Sequence, residues 1–222
     1  MSSIRKISRR RFLSLTGLST TGLVLMGSVP GSALAGVLDE PAGGELNLFV
    51  SIRADGTVEI IAHRSEMGTG IRTSLPQVVA DEMEADWNRV HVIQGLANSD
   101  YGSQNTDGSR SIRNFYHIMR QMGAAARASL EQAAAKRWQV SAADLSTKNH
   151  RVYHPDGRSL DFSDLAAAAA ELPMPDLGSL TLKDKSQFRY IGKDVPIVDL
   201  EDICTGNTSY GIDVRIPDML YA

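Results

Sequence analysis

A chain of 222 residues, 42% hydrophobic and 22% charged, is neither disordered nor fibrous in composition and is long enough to bury one sizeable domain or two small ones. Its formal net charge is -3. The single cysteine, Cys204, excludes an internal disulfide, an iron–sulfur cluster carried by this chain alone, and haem attachment through paired cysteines.

Residues 1–35 read as a leader. Ser8-Arg9-Arg10-Arg11-Phe12-Leu13 sets paired arginines before a moderately apolar stretch, and Ala33-Leu34-Ala35 offers small residues for cleavage before Gly36. The uncharged run is too mixed, and too soon broken by Pro30 and Gly31, for a spanning helix. The arginine pair resembles the twin-arginine export signal, which implies periplasmic delivery of a protein already folded around its cofactor. Its removal takes away Arg5, Lys6, Arg9, Arg10 and Arg11 and no acid, moving the net charge from -3 to -8. Such an acidic chain lacks the clustered cations that non-specific nucleic-acid binding requires.

Residues 46–52 alternate apolar and polar, Ala54-Asp55-Gly56 supplies a turn, and residues 58–62 resume the apolar run, which predicts a β-hairpin. The chain then enters Ser65-Glu66-Met67-Gly68-Thr69-Gly70. Val78, Val79 and Met83 fit the apolar side of a helix starting near Thr73 or Pro76, with Ser74 as its cap, Pro76 in its first turn, and Asp86 and Asn88 at its end. Asp81, Glu82, Glu84 and Asp86 are expected on a solvated face. Val90, Val92 and Ile93 make another short strand.

Residues 95–108 form a polar loop without periodicity. A long helix follows from Ser109 or Ser111 to about Trp138, with Ile112, Phe115, Met119, Met122, Ala126, Leu130 and Ala133 at spacings of three and four. Gly123-Ala124-Ala125-Ala126 leaves almost no side-chain bulk at its middle, as close packing against a neighbour demands. Ser141 starts a capped turn, residues 145–149 and 151–154 read as weak strands, and Ser163 caps a small helix through Leu172. Residues 173–180 read as a linker, after which residues 181–222 open a second module with short strands, among them 212–216. Either its apolar end docks into a core, or the module is cut short, being small for an independent domain.

The glycine loop and the polar run Gln104-Asn105-Thr106-Asp107-Gly108-Ser109-Arg110-Ser111 both lead into helices, whose free N–H groups can face an anion. A glycine pair is equally a plain turn, and Ser109 or Ser111 equally a cap. No lysine stands in the first loop and its spacing is not that of a nucleotide loop. His150 and His154 flank a turn rather than one helix face, so no residue is assigned as a metal ligand, and no nucleophile elbow occurs. No catalytic residue is assigned; Glu66 is a base only if a pocket shifts its pKa.

Taken in order, Glu66-Met67-Gly68-x-Gly70 with Thr73 and Pro76, Ala80-Asp81-Glu82-Met83, Asp86-Trp87, Asp107-Gly108-Ser109-Arg110-Ser111, Gly123-Ala124-Ala125-Ala126-Arg127 and Trp138 resemble the molybdenum hydroxylase large subunits of the xanthine dehydrogenase and aldehyde oxidase superfamily. Within that superfamily the chain resembles the exported branch typified by the isoquinoline 1-oxidoreductase beta subunit. Phe188 to Gly192, Gly206, Tyr210-Gly211-x-Asp213 and Pro217-x-Met219-Leu220-Tyr221-Ala222 resemble the start of that family's a/b hammerhead domain. The resemblance implies an α+β fold, with a partial molybdopterin-binding domain over 36–172. It also implies a molybdopterin cytosine dinucleotide cofactor near Gly68, Thr69, Gly70, Thr73, Gly108, Ser109, Arg110 and Ser111. The implied activity is oxidation of an N-heterocycle or aldehyde with water as oxygen source, electrons leaving through an iron–sulfur small subunit toward a cytochrome c. Thr69 stands where the family usually has glutamine. The family's base glutamate lies beyond Ala222, so the chain is expected to be the amino-terminal portion of a larger catalytic subunit, without turnover or tight cofactor binding alone. A non-catalytic exported assembly module is the alternative.

Overall fold

The computed structural model describes residues 42–217, 219 and 220. The expected leader and the last two residues lie outside them. The fold is α+β. Strands β1 (Ala42–Asn47), β2 (Val50–Arg53), β3 (Val58–Ala62) and β4 (Val90–Gln94) form one sheet in that order, the first three antiparallel and β4 parallel to β3. The hairpin of β2 and β3 is the predicted one. Its first strand is shorter than expected, because Leu48 and Phe49 turn the chain and add β1. Two bulky apolar residues at a turn carry no sequence signal; the turn is held by Asn47, whose Oδ1 accepts from Phe49 N at 3.0 Å while Nδ2 donates to Met122 O at 3.1 Å.

Helix α1 (Ile71–Met83) makes the crossover between the parallel strands β3 and β4. It begins earlier than expected, so Pro76 falls in its second turn, and Ser74 does not cap it but bonds back to Gly70 O at 2.8 Å. At its end Glu84 takes a left-handed conformation, with Glu84 N and Ala85 N returning to Asp81 O and Ala80 O. Helix α2 (Arg110–Trp138) packs along α1. The small-residue stretch is where they meet most closely: a Cβ on Gly123 would lie 2.4 Å from Val79 O and 2.8 Å from Glu82 Cβ.

A second sheet, the antiparallel meander of β5 (Ser146–Lys148), β6 (Arg151–Tyr153) and β7 (Ser159–Asp161), follows. Helix α3 (Phe162–Ala170) lies against β1 and α2. Asp161, not Ser163, caps α3, in a capping box with Asp164. One core joins Ile52, Ile60, Val79, Met83, Met119, Leu130, Phe162 and Leu165, all but fully buried. His150 ties its rim together: Nδ1 accepts from Asp86 N at 3.1 Å and Nε2 donates to Gly56 O at 2.8 Å.

Beyond α3 the chain differs from expectation. No strand follows Asp161 among the described residues; a short helix α4 (Leu200–Thr205) and a 3-10 turn at Gly211–Asp213 stand where strands were expected. Residues 177–191 lie on the helix pair. Gln121 Nε2 donates to Leu177 O at 3.2 Å and Arg127 Nη2 to Thr181 O at 2.9 Å. This contact also overturns the solvated acidic face. Asp81 and Glu82 are fully buried, held by Lys183, Arg120 and Arg127, and Glu84 bonds Lys183 and Arg189.

Candidate functional site

Residues 63–70 carry the chain from β3 into α1. Gly68 and Gly70 have φ of 91° and 75°, a backbone that side chains with a Cβ rarely adopt. These angles turn successive N–H groups toward one point, and that point is the carboxylate of Glu66. Its Oε1 accepts from Met67, Gly68, Thr69 and Gly70 N at 3.0, 2.6, 2.6 and 3.0 Å, and its Oε2 from Arg72 N at 3.0 Å. Burial alone would raise the Glu66 pKa, but the N–H groups of Arg72, Gly70, Thr69 and Gly68 outweigh it and hold the acid below its usual range. The donors expected to face a bound anion therefore already face one, supplied by the loop itself. An acid so stabilised in its charged form is a poor general base.

The second loop lies beside the first. Thr106 Oγ1 donates to Ser65 O at 2.6 Å and Gln104 Nε2 to His63 O at 3.1 Å. Arg64 joins them: Nε donates to Ser111 Oγ at 3.0 Å, Nη1 reaches the carbonyl and hydroxyl of Ser103, and the guanidinium lies over the Phe115 ring, 5.1 Å from its centre. Arg64 is 1% exposed, no carboxylate pairs with it among the described residues, and its Nη2 has no partner. Behind it His63, fully buried among Phe49, Tyr101 and Phe115, has its pKa lowered to about 4, first by burial and then by the Arg64 charge.

The expected site residues thus fall into two groups. Gly68, Thr69, Gly108, Ser109 and Arg110 are exposed along the two adjoining loops and Gly70 is partly so; Arg110 pairs with Asp107. Ser111 and Thr73 instead turn inward. Ser111 Oγ is taken by Arg64, and Thr73, 4% exposed, accepts from Val198 N at 3.0 Å. Neither serine caps α2: Ser109 sits at the cap position with φ 52° and makes no side-chain bond there. Arg64 and Glu66 were missed as organisers of the site. A charge inside an apolar strand exit is the signal for Arg64, and an acid just before a glycine pair the signal for Glu66.

The surface tests what could sit here. A Cβ on Gly68 or Gly70 would meet nothing within 4 Å, so a ligand can approach that backbone closely. At the start of α2, the helix dipole and the uncapped first turn favour a negative group, as does Arg64, which has no direct ion pair there and feels the Asp107 carboxylate only at longer range. No cluster of His, Cys, Asp or Glu fit to hold a metal ion occurs among the described residues. The open glycine backbone and the helix start are of a kind that fits an organic, partly anionic group.

Residues 19–199 match the family model described as molybdopterin cofactor-binding domain. The chain is 34% identical to the beta subunit of isoquinoline 1-oxidoreductase from Brevundimonas diminuta, over 98% of this chain and 33% of that protein. It is 31% identical to a membrane-bound aldehyde dehydrogenase (pyrroloquinoline-quinone) of Gluconacetobacter polyoxogenes, over 97% of this chain and 29% of that protein. It is 30% identical to the B subunit of nicotinate dehydrogenase from Pseudomonas putida, over 96% of this chain and 18% of that protein. The chain thus spans a third or less of the length of these curated relatives. The chain belongs to the molybdopterin cofactor-binding domain family, within the molybdenum hydroxylase superfamily of xanthine oxidase type.

Proposed function

We propose that this chain forms part of the catalytic subunit of an exported molybdenum hydroxylase and supplies one wall of its cofactor site. The observation that carries the reading is the joining of the glycine loop to the start of α2 through Arg64, Ser65, Ser103, Thr106 and Ser111, within a chain of this family. Gly68, Thr69 and Gly70 would hold the cofactor along the glycine loop, and Gly108, Ser109 and Arg110 at the helix start. Thr73 and Ser111 act behind that wall. The dinucleotide is the cytosine form, and when bound it supplies hydroxylation of an N-heterocycle or an aldehyde with water as the oxygen source. This chain's residues bind and orient it; the proton-transferring groups belong to the rest of the catalytic polypeptide. Thr69, shorter than the glutamine usual at its place, reaches less far from the loop.

The partners are the carboxy-terminal catalytic portion, an iron–sulfur small subunit, a cytochrome c acceptor and the small-molecule substrate. Ile197, Leu200, Ile203, Ile212 and Ile216 are all exposed, and we assign this apolar run to contact with the remainder of the catalytic polypeptide, which the longer relatives carry in one chain. On this reading the isolated chain has no turnover. Delivery is to the periplasm by the twin-arginine route. The test is metal and nucleotide analysis of the complex purified from its native host with all co-encoded subunits. Molybdenum together with cytidine monophosphate released by acid is expected; a complete complex lacking molybdenum refutes the reading.

A further inference from the structure

Five backbone N–H groups converge on the Glu66 carboxylate, and four of them belong to the consecutive residues 67–70. A phosphate cradle built from these donors would have to evict Glu66 first, and an anion placed beside the occupied loop would meet a like charge whose donors are already spent. What the loop offers outward is different: the Thr69 hydroxyl and the Met67 side chain, which is 66% exposed. We propose that Glu66 is a positioning residue, an internal anion that holds the glycine loop in shape before any ligand arrives, so that the loop receives a neutral part of the ligand and leaves anion recognition to the start of α2. The shape stands on the geometry alone; only the division of the ligand rests on the function proposed above.

The test is amide-resolved NMR on the full chain as wild type, Glu66→Gln and Glu66→Ala, with and without inorganic phosphate. In the wild type the Gly68 and Thr69 amides, bonded to a carboxylate at 2.6 Å, should resonate downfield and ignore phosphate. In Glu66→Ala the amides of Gly68, Thr69 and Gly70 should exchange about tenfold faster or more while those of α2 keep their rates, and Glu66→Gln should fall between. If Glu66→Ala does not fold, the Glu66→Gln amides decide: a partial upfield shift supports the assignment and unchanged shifts overturn it. Unchanged exchange in a folded Glu66→Ala, or a saturable phosphate shift at these amides in the wild type, also overturns it. None of these readouts depends on molybdenum, so the fate of this assignment and that of the proposed function are separately visible.

Discussion

Asp81 and Lys183, 102 residues apart in sequence, are bonded at 2.7 Å in the interior, and the second Asp81 oxygen accepts the N–H groups of Arg189, Tyr190 and Ile191 at 3.0, 2.8 and 2.8 Å. Lys183 also reaches Glu84 at 2.7 Å, and its own N–H donates to Glu82 at 3.1 Å. Four acidic oxygens in α1 and its cap thereby fasten the segment after the expected linker. We propose that the first domain extends through this segment to about residue 192, beyond the boundary at 172 that composition suggested. Removing one partner of a buried pair strands the other charge, which costs about 3–5 kcal/mol. Lys183→Ala is expected to lower the free energy of urea unfolding by that amount; a loss under about 1 kcal/mol would show that the segment is only loosely laid on the surface.

Gly123→Ala separates two effects of opposite sign. In a helix that merely contained a glycine, alanine would stabilise by up to about 1 kcal/mol. Here the added Cβ would press on Val79 O at 2.4 Å and Glu82 Cβ at 2.8 Å, so α1 and α2 must move apart. Overpacking of this kind costs roughly 1–3 kcal/mol. Thermal melting of the variant is expected to fall, and a rise would show that the helices do not approach as described.

His63 gives a pH signature. Its pKa in the fold is lowered from 6.5 to about 4, so below pH 6.5 the unfolded chain takes up a proton that the folded chain refuses. The stability it contributes is complete above pH 6.5 and declines as pH falls toward about 4. Glu45, whose pKa burial raises to about 7, acts in the opposite sense but is common to both proteins in a comparison with His63→Phe. Relative to that variant, the wild type is expected to lose on the order of 1 kcal/mol per pH unit in this window. Parallel stability curves would show that the imidazole is not held neutral.

Arg64 joins the two loops and forms no ion pair among the described residues. Arg64→Met in the native complex is expected to reduce bound molybdenum by about tenfold, the equivalent of one charge-assisted hydrogen bond, with Arg64→Lys between because it keeps charge but not the fork. Metal analysis beside a melting curve distinguishes cofactor loss from unfolding. Equal molybdenum content in all three proteins would remove Arg64 from the site.

The local elements were legible where periodicity and turn residues agree, as in the β2 and β3 hairpin, α1, β4 and the 29-residue α2. The lack of bulk around Gly123 signals close packing, and Val79 and Glu82 of α1 do lie against it. What sequence could not supply was the partner of each charge. Asp81 and Glu84 look solvated until a segment a hundred residues on supplies Lys183 and Arg189, Glu82 until α2 supplies Arg120 and Arg127, and Ser109 and Ser111 look like caps until Arg64 claims one of them. The glycine loop reads equally as an anion loop or a plain turn; that its donors face its own Glu66 depends on side-chain direction, which spacing does not encode.

The central claim is that the glycine loop and the start of α2 face the cofactor together. Hydrogen exchange read by mass spectrometry, comparing the native complex from molybdenum-replete and molybdenum-starved cells, tests it most directly. The account predicts that loading slows exchange in residues 103–111 and, to a smaller extent, in residues 65–72, where Glu66 already protects the amides. Full loading with unchanged exchange in both segments would contradict it.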